Sequence, residues 1–576
     1  MARPNEEVEA LLEEYADLIA ITGGDAFKAR AYEKAARAVG GFPDDVSTMD
    51  VKALREIPNV GKSIAEKVVE YLRTGRVAAF EETRASVPAG VRELLTIPTL
   101  GPRKALALYE ELRVSSVPEL LDAVRAERLR DLKGFGEKTE RNILHGIELM
   151  QKAGGRILLS AALEAAERIV AELSRVPGCA DCAYAGSLRR MRETIGDIDV
   201  LVAADDPEPF MEAFRALPDT AEVIASGRKK TSVRTSTGLQ VDLRVLPPDA
   251  WGAGLLYFTG SKAHNIRIRE IAVRKELKLS EYGLFRVKTG RKVASRTEEE
   301  VYARLGLPWI PPALREDRGE IAAALRGDLP DLVTEDDVRG DLHTHTDLTD
   351  GVSPLEEMVA AAAARGYAYY AVTDHAPNLY MQRMTDEKIL AQRERVRALD
   401  GRHRRMRLLH GTELNIGPDG GLDWPDDFLA GFDLCVASVH SHFRQTREEL
   451  TRRLVRACEN PYVSVIGHPT TRRIGKRSGI DADFDEVFKA CARTGTALEI
   501  NSHPERLDLC DEDILRARRY GVKFAVNTDA HSVTHLPYLR FGVGTARRGW
   551  LTKDDIVNTW PPQRLRRFLD EGRRRG

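Results

Sequence analysis

The sequence predicts a multidomain protein: an α-helical N-terminal region, an α+β centre and a C-terminal distorted β/α barrel. Three observations carry this. Apolar residues recur at helical spacing through roughly the first 150 residues, as in VEALLEEYADLIAI and AYEKAARAV. Two runs rich in β-branched and aliphatic residues follow, DIDVLV at 197–202 and LQVDLRVLP at 239–247, and read as strands. After residue 340, apolar runs ending in a metal-capable residue alternate with helical stretches, and 11 of the 13 histidines lie there. At 576 residues the chain is too long for one core. Hydrophobic content of 43% with 31% charged residues is ordinary for a water-soluble chain. A net charge of −2 excludes a uniformly basic coat, so any nucleic-acid surface is a local patch. Six cysteines do not make a disulfide framework, and Cys179-Ala-Asp-Cys182 lacks a second pair to complete a zinc site. With no signal peptide or long apolar span, a cytoplasmic monomer without membrane attachment is expected.

Three related pieces punctuate the helical region: IPNVGKSIAEKV (57–68), IPTLGPRKALAL (97–108) and LKGFGEKTERNI (132–143). Each has a tight turn ending in glycine (Gly61, Gly101, Gly136) that feeds a helix. The free backbone N–H groups at such a helix start seat a phosphate. The plainer reading is a turn that joins short helices, but three copies favour backbone binding. The pieces resemble helix-hairpin-helix motifs, which hold DNA by its backbone without reading sequence. Asn59 and Thr99 stand where the motif prefers its first glycine, and only Gly134-Phe135-Gly136 is complete.

Asp197 and Asp199 are two apart on a strand and share a face, with a third carboxylate, Asp242, on the later strand. Such carboxylates repel one another unless a cation lies between them. Three of them suit two Mg2+ or Mn2+ ions about 3.5–4 Å apart, an arrangement for in-line phosphoryl displacement; a calcium or solvated edge site is the alternative. The stretches GSLRR (186–190), GDIDVLV (196–202), VDLR (241–244) and YFTGS (257–261) resemble the family X DNA polymerases, of which polymerase beta is the familiar member. The resemblance runs from about residue 5 to about residue 317. It implies a small N-terminal domain (1–85), helix-hairpin-helix fingers (86–153), a nucleotidyltransferase palm (154–250) and a thumb (251–317), with 318–337 as a linker.

The same resemblance implies roles. Asp197 and Asp199 would bind both metals and Asp242 the one that activates the primer 3′-hydroxyl. Ser187, Arg190 and Gly196 would hold the nucleotide's β- and γ-phosphates. Tyr257, Phe258 and Gly260 would border its sugar, Asn265 would contact its base, and Arg244 would lie near the primer terminus. The basic stretches Arg228, Lys229, Lys230, Arg234 and Arg267, Arg269, Arg274, Lys275 lie where template and primer would run, although either could be a solvated face. Lys262 stands where the beta enzyme has an acidic residue. Some members of the family remove a 5′-deoxyribose phosphate through a lysine Schiff base, and Lys67 stands at that position. Lys28 and Tyr32 match its companions, but Phe27 replaces a histidine and Ser63 a lysine, so the readings are a weak lyase or an ordinary solvated or phosphate-binding lysine.

From residue 341, His343, His345, Asp350, His375, Glu413, His440, His468, Asp529 and His531 stand at or just beyond the C-terminal ends of apolar runs. Functional groups at strand ends, with helices such as PLEEMVAAAAARG between, describe a β/α barrel. The stretches DLHTHT…DG, TDH, HGTE, SVH, GHP and NTDAH resemble the PHP (polymerase and histidinol phosphatase) domain over 338–576. The resemblance implies that these nine residues ligate three ions; mixed imidazole and carboxylate ligands suit Zn2+, Mn2+ or Fe2+. His442 and His503 match no ligand position and fit a supporting role. Together the two halves imply a gap-filling polymerase of base-excision or end repair, acting on gapped or primer-template DNA and dNTPs. Its PHP domain would be a 3′–5′ exonuclease or phosphoesterase, with AP endonuclease activity left open. The rival readings are a purely structural PHP domain, and a small-molecule phosphatase joined to a DNA-binding region.

Overall fold

The computed structural model describes the chain apart from residues 1–3, 23–24, 43, 96, 98–99, 133–134, 137–138, 142, 145–146, 148–154, 380–381, 383, 404 and 574–576. The helical region opens with Pro4–Ile21 and Ala26–Gly40, antiparallel neighbours; the Asp25 side chain caps the second by accepting from Phe27 N. Its core is aromatic: the Tyr15 ring stacks on Phe80 at 3.7 Å and meets Tyr32 edge-on at 4.8 Å. Leu18 and Ile21, on the same first helix, pack instead with Leu94, Leu108, Leu120 and Phe135, so this helix ties the two helix-hairpin-helix segments together.

The central region is built on a five-stranded sheet in the order Asp181–Tyr184, Asp197–Ala203, Gln240–Leu246, Lys230–Thr235, Thr220–Ser226. Only the pair 197–203 and 240–246 is parallel. The helices Leu159–Ser174 and Glu208–Arg215 pack on it through Leu163, Ala166, Phe210 and Phe214. A three-stranded antiparallel sheet (277–280, 283–286, 292–294) and the helices Trp251–Thr259, Lys262–Arg274 and Glu298–Leu305 form the next layer.

The C-terminal region is a seven-stranded parallel sheet whose strands follow chain order: 340–341, 369–372, 407–415, 434–438, 463–466, 497–501 and 524–527. A bridge between Thr344 and Ala530 brings the two edges together, so the sheet is a nearly closed barrel. Its strands are apolar on both faces, as expected where helices cover the outside: Leu342, Tyr369, Val436 and Val465 fill the inside, and Tyr370, Val372 and Ile466 meet the helices.

The palm sheet and the barrel are packed as one body. Leu507 and Phe541 of the barrel are buried in the same apolar cluster as Ile198, Val200 and Leu243. Gly544 lies so close to Met191 that a Cβ there would fall 2.6 Å from the Met191 side chain. Arg472 pairs with Glu193 at 2.7 Å, and Arg540 pairs with Glu167. No described helix is long and apolar enough to cross a membrane.

Candidate functional site

Two constellations stand out. In the palm, the parallel register sets Asp199 directly opposite Asp242, and Asp197 lies two residues before Asp199 on the same face. Gly186, at φ +61, opens the turn beside them; a Cβ there would lie 2.7 Å from Asp199 Oδ2, so glycine is required both by conformation and by space. Burial first, then the charges of Asp197 and Asp242, push the Asp199 carboxyl up to about 6. Burial would raise Asp242 as well, but hydrogen bonds from Lys230, Ser232 and Gln240 hold it below its ordinary value. Lys230 Nζ lies 2.7 Å from Asp242 Oδ2, so this lysine, expected on the DNA path, balances a carboxylate of the trio.

The expected nucleotide-site residues gather next to it. Arg190 donates to Thr259 O (2.5 Å) and to Glu316 Oε1 (3.1 Å), linking the Gly186–Arg190 turn to the turn at Gly260. Gly260 has φ +71, and a Cβ on it would stand 3.2 Å from Arg190 Nη1. Asn265 Nδ2 donates to Tyr257 O at 2.7 Å, while its Oδ1 is buried without a hydrogen-bond partner. Arg244 lies over the Phe258 ring at 4.6 Å. Ser187 sits in the Gly186–Arg189 turn, and Gly196 immediately precedes the Asp197 strand. Lys229 lies 5.5 Å over the Tyr282 ring, and Lys262 is exposed at the start of its helix.

In the helical region, Gly61 and Gly101 are the N-cap residues of Lys62–Thr74 and Pro102–Leu112, and neither makes a side-chain cap. A Cβ on Gly61, Gly101 or Gly136 would meet nothing within 4 Å, so a strand backbone can approach all three closely. Asn59 adopts φ +64 and so takes the left-handed conformation that the motif's missing glycine would have. Gly134 and Thr99 lie outside the described residues. Lys67 Nζ donates to Ser63 Oγ at 2.8 Å, and the Tyr32 hydroxyl, raised to about 12 by burial, also hydrogen-bonds Ser63. The helix that carries Lys67 buries Ile64, Ala65 and Val68, with Leu72 partly buried beside them.

In the barrel, all nine expected residues converge at the C-terminal ends of the strands. Glu413 is the hub: its Oε1 is 3.1 Å from both His440 Nε2 and His468 Nε2, and its Oε2 is 2.9 Å from His375 Nδ1 and 3.4 Å from His343 Nε2. Asp350 Oδ1 stands 3.3 Å from both His375 Nε2 and His531 Nε2, and Asp529 Oδ1 3.2 Å from His345 Nε2. Three overlapping groups have ligand atoms all within 4.8 Å of one another: His345, Asp350, His375, His531; His343, His345, Asp529; and His375, Glu413, His440. His343 Nε2, both ring nitrogens of His345, His375 Nδ1, His468 Nδ1, Asp350 Oδ1 and Glu413 Oε2 are buried and make no hydrogen bond. Such atoms are costly unless something coordinates them, and this donor set fits metal ions. Asp529 (φ +54) and His468 (φ +25) are held in strained backbone, as functional groups at strand ends often are.

Outer partners aim the ligands. Asn415 Oδ1 meets His440 Nδ1 at 2.8 Å, the Asp529 carbonyl meets His531 Nδ1 at 2.7 Å, and Asn501 donates to Asp529. Burial alone would raise the carboxyls of Asp350, Glu413 and Asp529; the surrounding imidazoles instead hold all three well below the usual range. Sequence reasoning missed Glu499, which meets His343 Nδ1 at 2.7 Å and accepts from His468 N. It also missed Asp374, which accepts from Thr346, Thr349 and Gln392. The one available signal was an acidic residue inside an otherwise apolar strand, ALEIN. His442 is exposed, and His503 packs edge-on against His535 and Tyr538; neither joins the metal-binding groups.

Comparison with known proteins agrees with this division. The helix-hairpin-helix domain profile matches residues 3–77 and the SAM-like helix-hairpin-helix tandem 91–148. The DNA polymerase beta thumb profile matches 254–316 and the PHP domain profile 341–503. The chain is 36% identical over 566 residues to the DNA polymerase/3′-5′ exonuclease PolX of Bacillus subtilis (strain 168), covering 98% of this chain and 99% of that protein. It is 27% identical over 323 residues to DNA polymerase lambda of Rattus norvegicus, 51% of this chain and 53% of that one. A probable phosphatase of Acetivibrio thermocellus is 30% identical over 205 residues, 33% of this chain and 78% of its own. With near-complete coverage at that identity, the chain belongs to the PolX-type family X DNA polymerases, which join helix-hairpin-helix segments and a beta-type thumb to a C-terminal PHP domain.

Proposed function

We propose that the palm adds deoxynucleotides to a DNA 3′ end across short gaps, and that the barrel hydrolyses phosphodiesters at unsuitable 3′ ends. The observation that carries the first half is the pairing of Asp199 with Asp242 across two parallel strands, with Asp197 on the same face and the Gly186–Arg190 turn beside them. Bound at these carboxylates, two Mg2+ or Mn2+ ions would neutralise charge on the transferred phosphoryl group and on the attacking 3′-oxygen. The chain's own groups do the positioning. Ser187 and the Arg190 guanidinium bind the β- and γ-phosphates, with Gly196 leaving room beside them. Tyr257, Phe258 and Gly260 bound the sugar. Asn265, anchored by its Nδ2 on the Tyr257 carbonyl, contacts the base. Arg244, stacked on Phe258, borders the primer end. Gly61, Gly101 and Gly136 hold duplex backbone, with Lys229 along its path.

For the second half, Glu413 and the residues around it would hold Zn2+, Mn2+ or Fe2+, three ions by the three overlapping groups. Bound there, such ions would supply an acidified water and positive charge for the phosphate. The rest of the chain fixes ligand direction through Glu499, Asn415 and Asn501. That His343 Nε2, His345 Nε2, His375 Nδ1, Asp350 Oδ1 and Glu413 Oε2 lie buried and unpartnered against one another supports a working site over a structural remnant.

One assay tests both halves. Purified protein is incubated with gapped and with 3′-recessed DNA, with and without dNTPs, in Mg2+ and in Mn2+. Extension with dNTPs and 3′ shortening without them are expected, with better extension on a gap bearing a 5′-phosphate at physiological salt. Neither extension nor shortening on any substrate would overturn the reading.

A further inference from the structure

Arg548 ends the barrel helix Leu539–Arg548, some 200 residues beyond the thumb in sequence, yet it is buried against the palm with only 3% of its side chain exposed. Its Nη1 donates to the backbone carbonyl of Arg190 at 2.8 Å and to Glu316 Oε1 at 2.9 Å; its Nη2 donates to Asp511 Oδ2 at 2.6 Å. Glu316 Oε1 is the same oxygen that receives Arg190 Nε at 3.1 Å, with Arg192 standing 4.0 Å away. Arg318 completes the set by pairing with Asp511 at 2.9 Å. One buried carboxylate oxygen is thus shared between the arginine read here as the nucleotide's phosphate clamp and an arginine that belongs to the other catalytic region.

Sharing has a chemical consequence. A guanidinium engaged by an undivided carboxylate in a poorly solvated place is a weaker donor to an arriving phosphate, since the two anions compete for the same N–H groups. With Arg548 in place, the charge of Glu316 is split between two guanidiniums, and the carbonyl of Arg190 is held besides. Without it, Glu316 would hold Arg190 alone. We infer that Arg548 is a positioning residue for the polymerase reaction: the barrel, through Arg548 and Glu316, keeps Arg190 available for the triphosphate, so nucleotide affinity at the palm depends on a residue of the PHP region. This rests on the reading of Arg190 given under the proposed function.

The test is steady-state gap filling with the full chain, with dNTP as the varied substrate. Arg548→Met should raise KM for dNTP by about five- to tenfold, the size of one exchanged charge-assisted hydrogen bond, with kcat within about twofold. Arg548→Lys should recover part of the loss. Glu316→Gln added to Arg548→Met should bring KM back towards the parent value, which damage to packing would not do. Glu316→Gln alone should lower KM slightly, and this arm decides the matter should Arg548→Met fail to fold. Hydrolysis of single-stranded 3′ ends by the barrel should be unchanged in every variant. An unchanged KM in Arg548→Met, a parallel loss of kcat and hydrolysis, or a double variant no better than Arg548→Met alone would overturn the inference. Arg190→Lys separates the two readings. If it leaves KM unchanged, the phosphate-clamp reading falls and this inference with it. If it raises KM while Arg548→Met does not, only the inference falls.

Discussion

The palm trio and the barrel cluster are both acidic sites suited to cations, yet they handle their charge in opposite ways. Asp197, Asp199 and Asp242 have no histidine among them, and Asp199 is pushed up to about 6 by burial and by its two neighbours. The protein's own remedy is two cations, Arg244 acting on Asp199 and Lys230 paired with Asp242. In the barrel cluster Glu413 is surrounded by five imidazoles, Asp350 by two and Asp529 by three. On the proposed function the palm would take up cations that arrive with a substrate and leave again. The barrel, on the same proposal, would keep its ions, with outer partners already aiming His343, His440, His531 and Asp529.

The largest effect should come from exchanging the two losses. Asp199→Ala is expected to lower nucleotide incorporation by about a thousandfold or more while 3′ hydrolysis persists, and His440→Ala or Asp529→Ala to do the reverse. Parent-rate primer extension by Asp199→Ala would remove the basis for the comparison. Next in size is metal residency. After gel filtration in metal-free buffer, elemental analysis should find ions in the parent protein and in Asp199→Ala, but at least about tenfold weaker retention in Glu413→Gln. Thermal unfolding of Glu413→Gln should also fall, by about 3 kcal/mol or more, because several imidazoles lose their common partner.

The smallest effect concerns pH. In chelator-stripped protein, Asp199 binds a proton more tightly folded than unfolded. Its native form therefore loses stability as pH rises from about 4 to about 6, and the deficit stays constant above that window. Asp199→Asn should consequently raise the melting temperature at pH 8 by about 2 °C and change it little at pH 4. The barrel carboxylates have the opposite sign. Held below their ordinary values, Asp350, Glu413 and Asp529 contribute at neutral pH and lose that contribution as pH falls through the acid range. A stripped protein whose stability rises steadily from pH 4 to 8 in parent and Asp199→Asn alike would show that repulsion in the palm is relieved by something other than protons.

Local periodicity made much of this legible. Asp197 and Asp199 are two positions apart, and a strand returns the side chain to the same face after two; a run of strand ends bearing His, Asp or Glu sufficed for the barrel cluster. What stayed hidden depends on partners distant in sequence. Glu499 sits in an apolar strand, and nothing nearby tells that His343, 156 residues earlier, will meet it. Lys230 read as one of four basic residues, because only the antiparallel pairing of its strand with Gln240–Leu246 carries it to Asp242. Asn59 looked like a defect in its motif; asparagine tolerates positive φ, and the turn keeps its shape.

The apolar cluster that Leu507 and Phe541 share with Ile198, Val200 and Leu243 bears on how such a protein can be taken apart. Separate enzymes joined end to end can be cut at the join and studied singly. Here a stop codon before residue 338 would strip Leu507, Phe541 and Gly544 from the side of the palm and leave Glu193, Glu167 and Glu316 without Arg472, Arg540 and Arg548. A shortened polymerase would present a sticky apolar surface ringed by unbalanced acidic groups, prone to aggregate, and its weak activity would be misread as dependence on the nuclease. Dissection of this chain calls for point substitutions within an intact protein, not for truncation.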